Sequence, residues 1–205
     1  SEDPCLAGRI GAAWVKGVQS QGVAASLKHF ACNNQEIERF RIDCLVDERT
    51  LREIYLPAFE WIVKTARPWT VMCAYNRLNG PYASQHRELL TRILKEEWGF
   101  DGVVMSDWGA NHTTIESMAA GLDLEMPGPA RYYGSLLAEA VHMWQIEPAA
   151  IDEAARRMLR LIARTGRLDS PGARPPVAVD MPAHAALART VAEQSIVLLK
   201  NEGGV

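Results

Sequence analysis

Apolar positions along this chain change period repeatedly, from the spacing of a helix to the short unbroken runs of buried strands. From Leu6 to about Gln21 the residues Ile10, Trp14, Val15 and Val18 share one side of a predicted helix, and Gly22 is its stop. Val23 to Phe30 reads as a strand. A polar loop follows through Asp43, after which Asp47 caps a helix whose apolar face is Leu51, Ile54, Tyr55, Ala58, Phe59, Ile62 and Val63. Pro57 lies inside it and removes one backbone donor, so a kink is expected there. Thr70 to Ala74 is the next strand, and Asn79-Gly80-Pro81 marks a turn beyond its tip. Then come a helix from His86 to Trp98 that buries Leu89, Leu90, Ile93, Leu94 and Trp98 and ends at Gly99, and a strand from Gly102 to Met105. A short helix over Thr113 to Ala120 and a fourth strand over Leu122 to Met126 precede two more helices, Gly134 to Gln145 and Pro148 to Thr165. The last presents Ile151, Ala154, Ala155, Met158, Leu159 and Ile162 on one face.

Strand and helix alternate over residues 1–165, which implies an α/β fold with a parallel sheet. Four strands are about half of the eight that close a (β/α)8 barrel, so this part reads as the C-terminal half of a TIM-type barrel whose N-terminal strands lie upstream. Ser1-Glu2-Asp3-Pro4 looks like the middle of a loop, and the chain is expected to be an excerpt. Residues 166–182 shift to Pro, Gly, Ala and Asp and read as a linker. A helix from Ala183 to Gln194 and the apolar run Ile196 to Leu199 then open a second α/β domain over 183–205.

With 205 residues, 48% of them hydrophobic and 23% charged, the chain can bury a substantial core. A formal charge of -3 and a pI near 6.0 provide no basic field for nucleic acid, and no apolar stretch approaches the roughly 20 residues that cross a bilayer. Neither nucleic acid nor membrane is therefore an expected partner. The compartment stays open, with the cytoplasm slightly favoured. Cys5, Cys32, Cys44 and Cys73 lack CxxC pairing and metal-finger histidines, so reduced and mostly buried thiols are expected, and no metal or other cofactor.

Candidate chemistry sits where strands end. Lys28-His29-Phe30, Tyr75-Asn76 and Ser106-Asp107-Trp108-Gly109 are polar tips on apolar runs, each leading through a loop to a helix. In a parallel barrel such tips face one rim, where active sites assemble. Asp107 closes the run Gly102-Val103-Val104-Met105-Ser106; by position alone it is either a rim carboxylate or a cap for the next helix.

Together with Ser1-Glu2-Asp3-Pro4, the Asn33-x-x-Glu36-x-x-Arg39 spacing, Met72-x-Ala74-Tyr75-Asn76, Ala120-Gly121-Leu122-Asp123, Met126-Pro127 and Leu198-Leu199-Lys200-Asn201-Glu202, these tips make the chain resemble a bacterial β-glucosidase of glycoside hydrolase family 3 over nearly its whole length. The resemblance implies a partial TIM-type barrel, a linker and the start of an α/β sandwich domain. It also implies retaining hydrolysis of terminal non-reducing β-D-glucosyl residues from a small β-glucoside or a short β-linked oligosaccharide, without cofactor. Asp107 falls on the family's catalytic nucleophile. A retaining glycosidase needs one carboxylate beneath the anomeric carbon and a second carboxyl group about 5 to 5.5 Å away as acid and then base. Lys28 and His29 match a pair that holds glucose hydroxyls, and Arg39 matches a substrate-binding arginine, with Glu36 expected as the partner of a cation in that loop. Tyr75 matches a tyrosine beside the nucleophile, Met72 an apolar wall, and Trp108 an aromatic face for the sugar ring, while Trp14 and Trp98 suit the core. Asp123 is expected to orient rim loops. The family's acid/base carboxylate lies in a later domain, outside these residues, so the 205 residues alone are expected to be inactive or nearly so; the oligomeric state is open.

Other readings compete. The β-N-acetylglucosaminidase branch carries a KHFPGHG-type loop, whereas here Lys28-His29-Phe30 continues Ala31-Cys32-Asn33-Asn34, which disfavours it. A β-xylosidase or mixed specificity stays open because the pocket for the sugar's C6 group lies upstream. A Schiff-base barrel lyase using Lys28 is the rival in another reaction class. A non-catalytic sugar-binding or vestigial protein is the reading without an enzyme.

Overall fold

A computed structural model describes residues 2–172 and 178–204. The chain divides into two compact units, Ser1–Pro171 and Gly172–Val205. The first begins with helix α1, Pro4–Gln19, for which Pro4 at the first turn and Asp3 as N-cap form the start signal: the Asp3 carboxylate accepts from the amides of Cys5 at 2.8 Å and Leu6 at 3.2 Å. The buried face of α1 is Gly8, Ala12 and Val15; of the predicted side, Val15 is buried and Val18 packs against the core, whereas Ile10 and Trp14 are both 61% exposed. Helix α3, Pro57–Ala66, packs on that small-residue face. A Cβ at Gly11 would lie 2.5 Å from Ile62 Cδ1, so close approach rather than bulk selects the contact face.

Between these helices run strand β1, Ser26–Phe30, and a loop to the two-residue strand β2, Asp43–Cys44. Asp47 caps the next helix as expected, its carboxylate accepting from Thr50 N at 3.0 Å. Helix α2, Glu48–Thr50, widens into a π-helical turn over Leu51–Tyr55 before α3 restarts at Pro57. The expected kink is thus a wide turn, Leu56 N bonding to Leu51 O, which accommodates the proline's missing donor. Ile54, assigned to the apolar face, is 54% exposed, whereas Leu51, Leu56, Ile62 and Val63 are buried.

Strand β3, Thr70–Cys73, is buried at every residue, as a central parallel strand should be. Strand β4, Arg77–Leu78, follows, then a short 3-10 turn over Ala83–Gln85 and a π-helical segment over Glu88–Glu97. That segment buries Leu89, Leu90, Ile93 and Leu94, and Trp98 behind it is 5% exposed. Strand β5, Val103–Met105, and helices α4, Ile115–Ala120, α5, Ser135–His142, and α6, Pro148–Arg164, complete the unit. The main sheet is parallel in the order β1-β3-β5, with Ser26 opposite Thr70 and Thr70 opposite Val103; β2 pairs in parallel with β4. The fourth predicted strand, Leu122–Met126, appears only as a bridge between Met105 and Leu124. The mixed α/β class holds.

In the second unit Asp180 caps helix α7, Met181–Ser195. The apolar run Ile196 to Leu199 pairs with no strand among the described residues. Part of the expected linker, residues 173–177, lies outside the described residues.

Asp123 does not orient the rim. It lies level with Val104, whose amide it accepts at 2.8 Å, and pairs with Lys95 Nζ at 2.8 Å, both side chains almost wholly covered. Burial is the leading influence on each, raising the Asp123 carboxyl and lowering the Lys95 ammonium. Removing one partner strands the other charge. Asp123→Ala is expected to cost about 3 to 5 kcal/mol of stability, and Asp123→Leu with Lys95→Met to recover most of it, read from urea unfolding midpoints.

Candidate functional site

Because β1, β3 and β5 are parallel, the residues at and after their carboxyl ends converge. His29 near the end of β1 and Asp107, two residues past β5, meet with Nε2 3.2 Å from Oδ2. The Asp107 side chain is only 11% exposed, and its other oxygen accepts the Trp108 amide at 2.7 Å. Asp107 does not cap a helix, since α4 begins only at Ile115.

Tyr75, two residues past β3, donates its hydroxyl to the Trp108 carbonyl at 3.1 Å. Burial first, then hydrogen bonding with Asp107 and that residue's charge, push the Tyr75 hydroxyl up, which keeps it a donor. Arg39 stands with its guanidinium carbon 5.0 Å from the Tyr75 ring, while Glu36 accepts from its Nη1 at 2.9 Å, the pairing expected for Glu36. Met72 is 7% exposed in β3. Trp108 leaves 53% of its surface open, and Trp14, assigned to the core, is exposed on α1.

Lys28 is exposed beside His29. Both line an open cleft of about 1010 Å³ together with Cys32, Asn33 and Asn34 on one side and Tyr55 and Phe59 on the other. Asp107 is not part of that cleft's lining, so His29 is the residue shared between cleft and carboxylate. Burial lowers the His29 pKa, Asp107 pulls the other way, and the charges of Lys28 and Arg39 lower it further.

Sequence reasoning placed Asn76 and Ser106 on the strand tips without giving them a role, and missed Glu125. Asn76 ties the tips together, its amide donating to Ala31 O at 3.2 Å and Arg77 O at 2.9 Å. Ser106 Oγ accepts the Met126 amide at 2.8 Å. Glu125, 8% exposed, gathers the amides of Arg131, Tyr132 and Tyr133 and so shapes the loop after the fourth segment. A buried carboxylate before a Pro-Gly-Pro turn was the available signal for Glu125. Phe40 was missed as well: it is an apolar residue in a polar loop, and its ring meets Tyr75 edge to face at 4.6 Å.

Among the described residues no group of His, Cys, Asp and Glu is arranged to hold a metal ion, and no helix is long and apolar enough to cross a membrane. The cysteines are free: Cys32 and Cys73 are buried, Cys44 partly, and Cys5 is exposed. Burial pushes the Cys32 thiol up to about 12, which removes thiolate character beside the site.

A parallel α/β unit that collects a carboxylate, an imidazole and a phenol at one strand-end rim defines a class of enzyme scaffold, and comparison with known proteins narrows it. Residues 1–161 match the family model of the glycosyl hydrolase family 3 N terminal domain. A β-glucosidase of Rhizobium radiobacter is 51% identical over 203 residues, covering 99% of this chain and 25% of the relative. An exo-α-(1->6)-L-arabinopyranosidase of Bifidobacterium longum is 49% identical over 205 residues, covering 100% of this chain and 26% of the relative. The solved structure of β-glucosidase 3B from Thermotoga neapolitana in complex with α-D-glucose superposes with a TM-score of 0.90 at 43% identity, over 99% of this chain and 29% of that one. The chain therefore belongs to glycoside hydrolase family 3, and it spans about a quarter of the length of the curated relatives it matches.

The His29 geometry sets a titration test. Asp107 is the leading influence that raises the His29 pKa, so Asp107→Asn is expected to lower it further, followed through the His29 ring protons by NMR. A histidine whose folded pKa lies below 6.5 binds fewer protons folded than unfolded. Its contribution to stability is therefore full above pH 6.5 and is lost as pH falls toward the folded value.

Proposed function

We propose that this chain carries the nucleophile half of a retaining β-glycosidase site, and that β-D-glucosides are the substrates. The observation that carries the reading is Asp107 itself: a nearly buried carboxylate at a strand end, one oxygen held by its neighbour's amide and the other facing His29. In this reading the Asp107 oxygen attacks the anomeric carbon while the bond to the aglycone oxygen breaks. A carboxylic acid elsewhere in the polypeptide protonates that oxygen, and the same group then deprotonates the water that releases the sugar. Lys28 and Arg39 donate hydrogen bonds to sugar hydroxyls, the neutral His29 ring accepts one at Nδ1, Tyr75 steadies the nucleophile, Met72 walls the pocket, and Trp108 packs against the substrate.

Three carboxylates of this unit are committed to other work. Glu36 binds Arg39, Asp123 binds Lys95, and Glu125 binds three backbone amides. That supports placing the acid outside these residues, on the remainder of a barrel and in an α/β sandwich domain. The glucose named in the Thermotoga complex supports a glucosyl pocket. The arabinopyranosidase relative favours a second reading, a pentopyranoside substrate that lacks the C6 group.

In a polypeptide extended to the relatives' length, Asp107→Asn is expected to lower kcat/KM for an aryl β-glucoside by about 10³-fold or more. A 2-deoxy-2-fluoro glucoside is expected to add one sugar mass at Asp107, read by peptide mass spectrometry. Undiminished turnover in the variant, or label elsewhere, would falsify the assignment. Turnover ranked across β-glucoside, β-xyloside and α-L-arabinopyranoside decides between the two substrate readings. The 205 residues by themselves are expected to be at least about 10²-fold slower than the extended polypeptide, for want of leaving-group protonation.

A further inference from the structure

Phe40 is half-exposed, at 54%, yet its ring is held by Tyr75 and Arg39. It meets Tyr75 edge to face, with centroids 4.6 Å apart and planes at 71°. The Arg39 guanidinium carbon lies 5.0 Å from the Phe40 ring and 5.0 Å from the Tyr75 ring, and Glu36 anchors that arginine at 2.9 Å. Through Tyr75 the assembly reaches Trp108, whose carbonyl takes the Tyr75 hydroxyl and whose amide holds Asp107. Phe40 and Trp108 are thus two aromatic side chains of similar exposure, 54% and 53%, within one connected unit around the carboxylate.

A ring anchored on one side and open on the other keeps apolar surface in water until a second flat or apolar group covers it. The groups that suit sugar hydroxyls here are polar: Lys28, His29 and the guanidinium of Arg39. Phe40 offers no hydrogen bond, so its open face matches the part of a glycoside that lacks hydroxyls. We propose that Phe40 is a specificity-determining residue whose open face receives an aromatic aglycone. This rests on the reading of Asp107 as the nucleophile of a β-glucosidase.

The test compares Phe40→Leu and Phe40→Tyr with the unaltered polypeptide extended to the relatives' length, using kcat/KM for 4-nitrophenyl β-glucoside and methyl β-glucoside. Each variant is compared with its parent on the same substrate, which cancels the difference in leaving-group chemistry. Phe40→Leu is expected to lose about 3- to 10-fold on the aryl substrate and less than about twofold on the methyl one, while Phe40→Tyr, which keeps the ring, stays near the parent on both. Equal losses on the two substrates would mean that Phe40 only props Tyr75 and Arg39, and would overturn the assignment; so would no loss on either. Unaltered protein that hydrolyses neither glucoside would overturn the β-glucosidase reading and this inference together. Activity on both with no aryl-selective loss would overturn the inference alone. Phe40→Tyr preserves the edge contact with Tyr75, so a folding failure confined to Phe40→Leu leaves a second comparison: Phe40→Trp, whose larger face is expected to raise the aryl-to-methyl ratio.

Discussion

Parallel pairing in register is the constraint from which the site follows. Once Leu27 lies opposite Val71 and Val71 opposite Val104, the residues just beyond each match leave the sheet at the same edge, whatever their separation in sequence. His29 and Asp107 are 78 positions apart and come within 3.2 Å at that edge, with His29 in the irregularity that shifts the β1–β3 register between Leu27 and Phe30. The second, smaller pairing of β2 with β4 works one layer further out. It joins the loop after β1 to the loop after β3, and so holds Arg39 and Phe40 over Tyr75 rather than free in solvent.

The electrostatics at the rim are economical because the cations are unequal. Arg39 is already engaged by Glu36 and by two rings, which makes it as much a structural brace as a source of positive potential. Lys28 is exposed, and its charge is felt by His29 as a lowered pKa. His29 is the group in direct contact with Asp107, and burial favours its neutral form. A neutral imidazole and a backbone amide on either oxygen of the Asp107 carboxyl group restrain its position in a preorganised polar setting. The hydroxyl of Tyr75, kept protonated by its surroundings, belongs to the same arrangement.

Much of this was legible in the chain because strand tips and helix caps are local. Asp47 as a cap, the buried face Leu89-Leu90-Ile93-Leu94 and the three paired strands each depend on a few neighbouring residues. Faces chosen by long-range packing were not legible. On α1, periodicity selected the large side chains Ile10 and Trp14, whereas the neighbouring helix needs a surface it can approach, which Gly8, Gly11 and Ala12 provide. Leu122–Met126 has the composition of a strand, but it makes one bridge and then bends into a loop organised by Glu125. The Arg39–Tyr75–Phe40 stack joins residues about 35 positions apart through a loop without periodicity, so pattern alone could not assemble it.

One short strand, β5, is braced by Asp123 at Val104 and leads to Asp107 beyond its carboxyl end. Asp123 holds the Val104 amide and is itself held by Lys95, while its own amide donates to Val104 O. Three residues further along, roughly 10 Å at strand rise, Asp107 leaves the strand. The side chains of a strand alternate, so a slip of one residue between β5 and its neighbours would turn the carboxylate away from His29 and bring Ser106 or Trp108 in its place. Asp123 braces that register at Val104 through two contacts, its carboxylate accepting the Val104 amide and its own amide donating to the Val104 carbonyl.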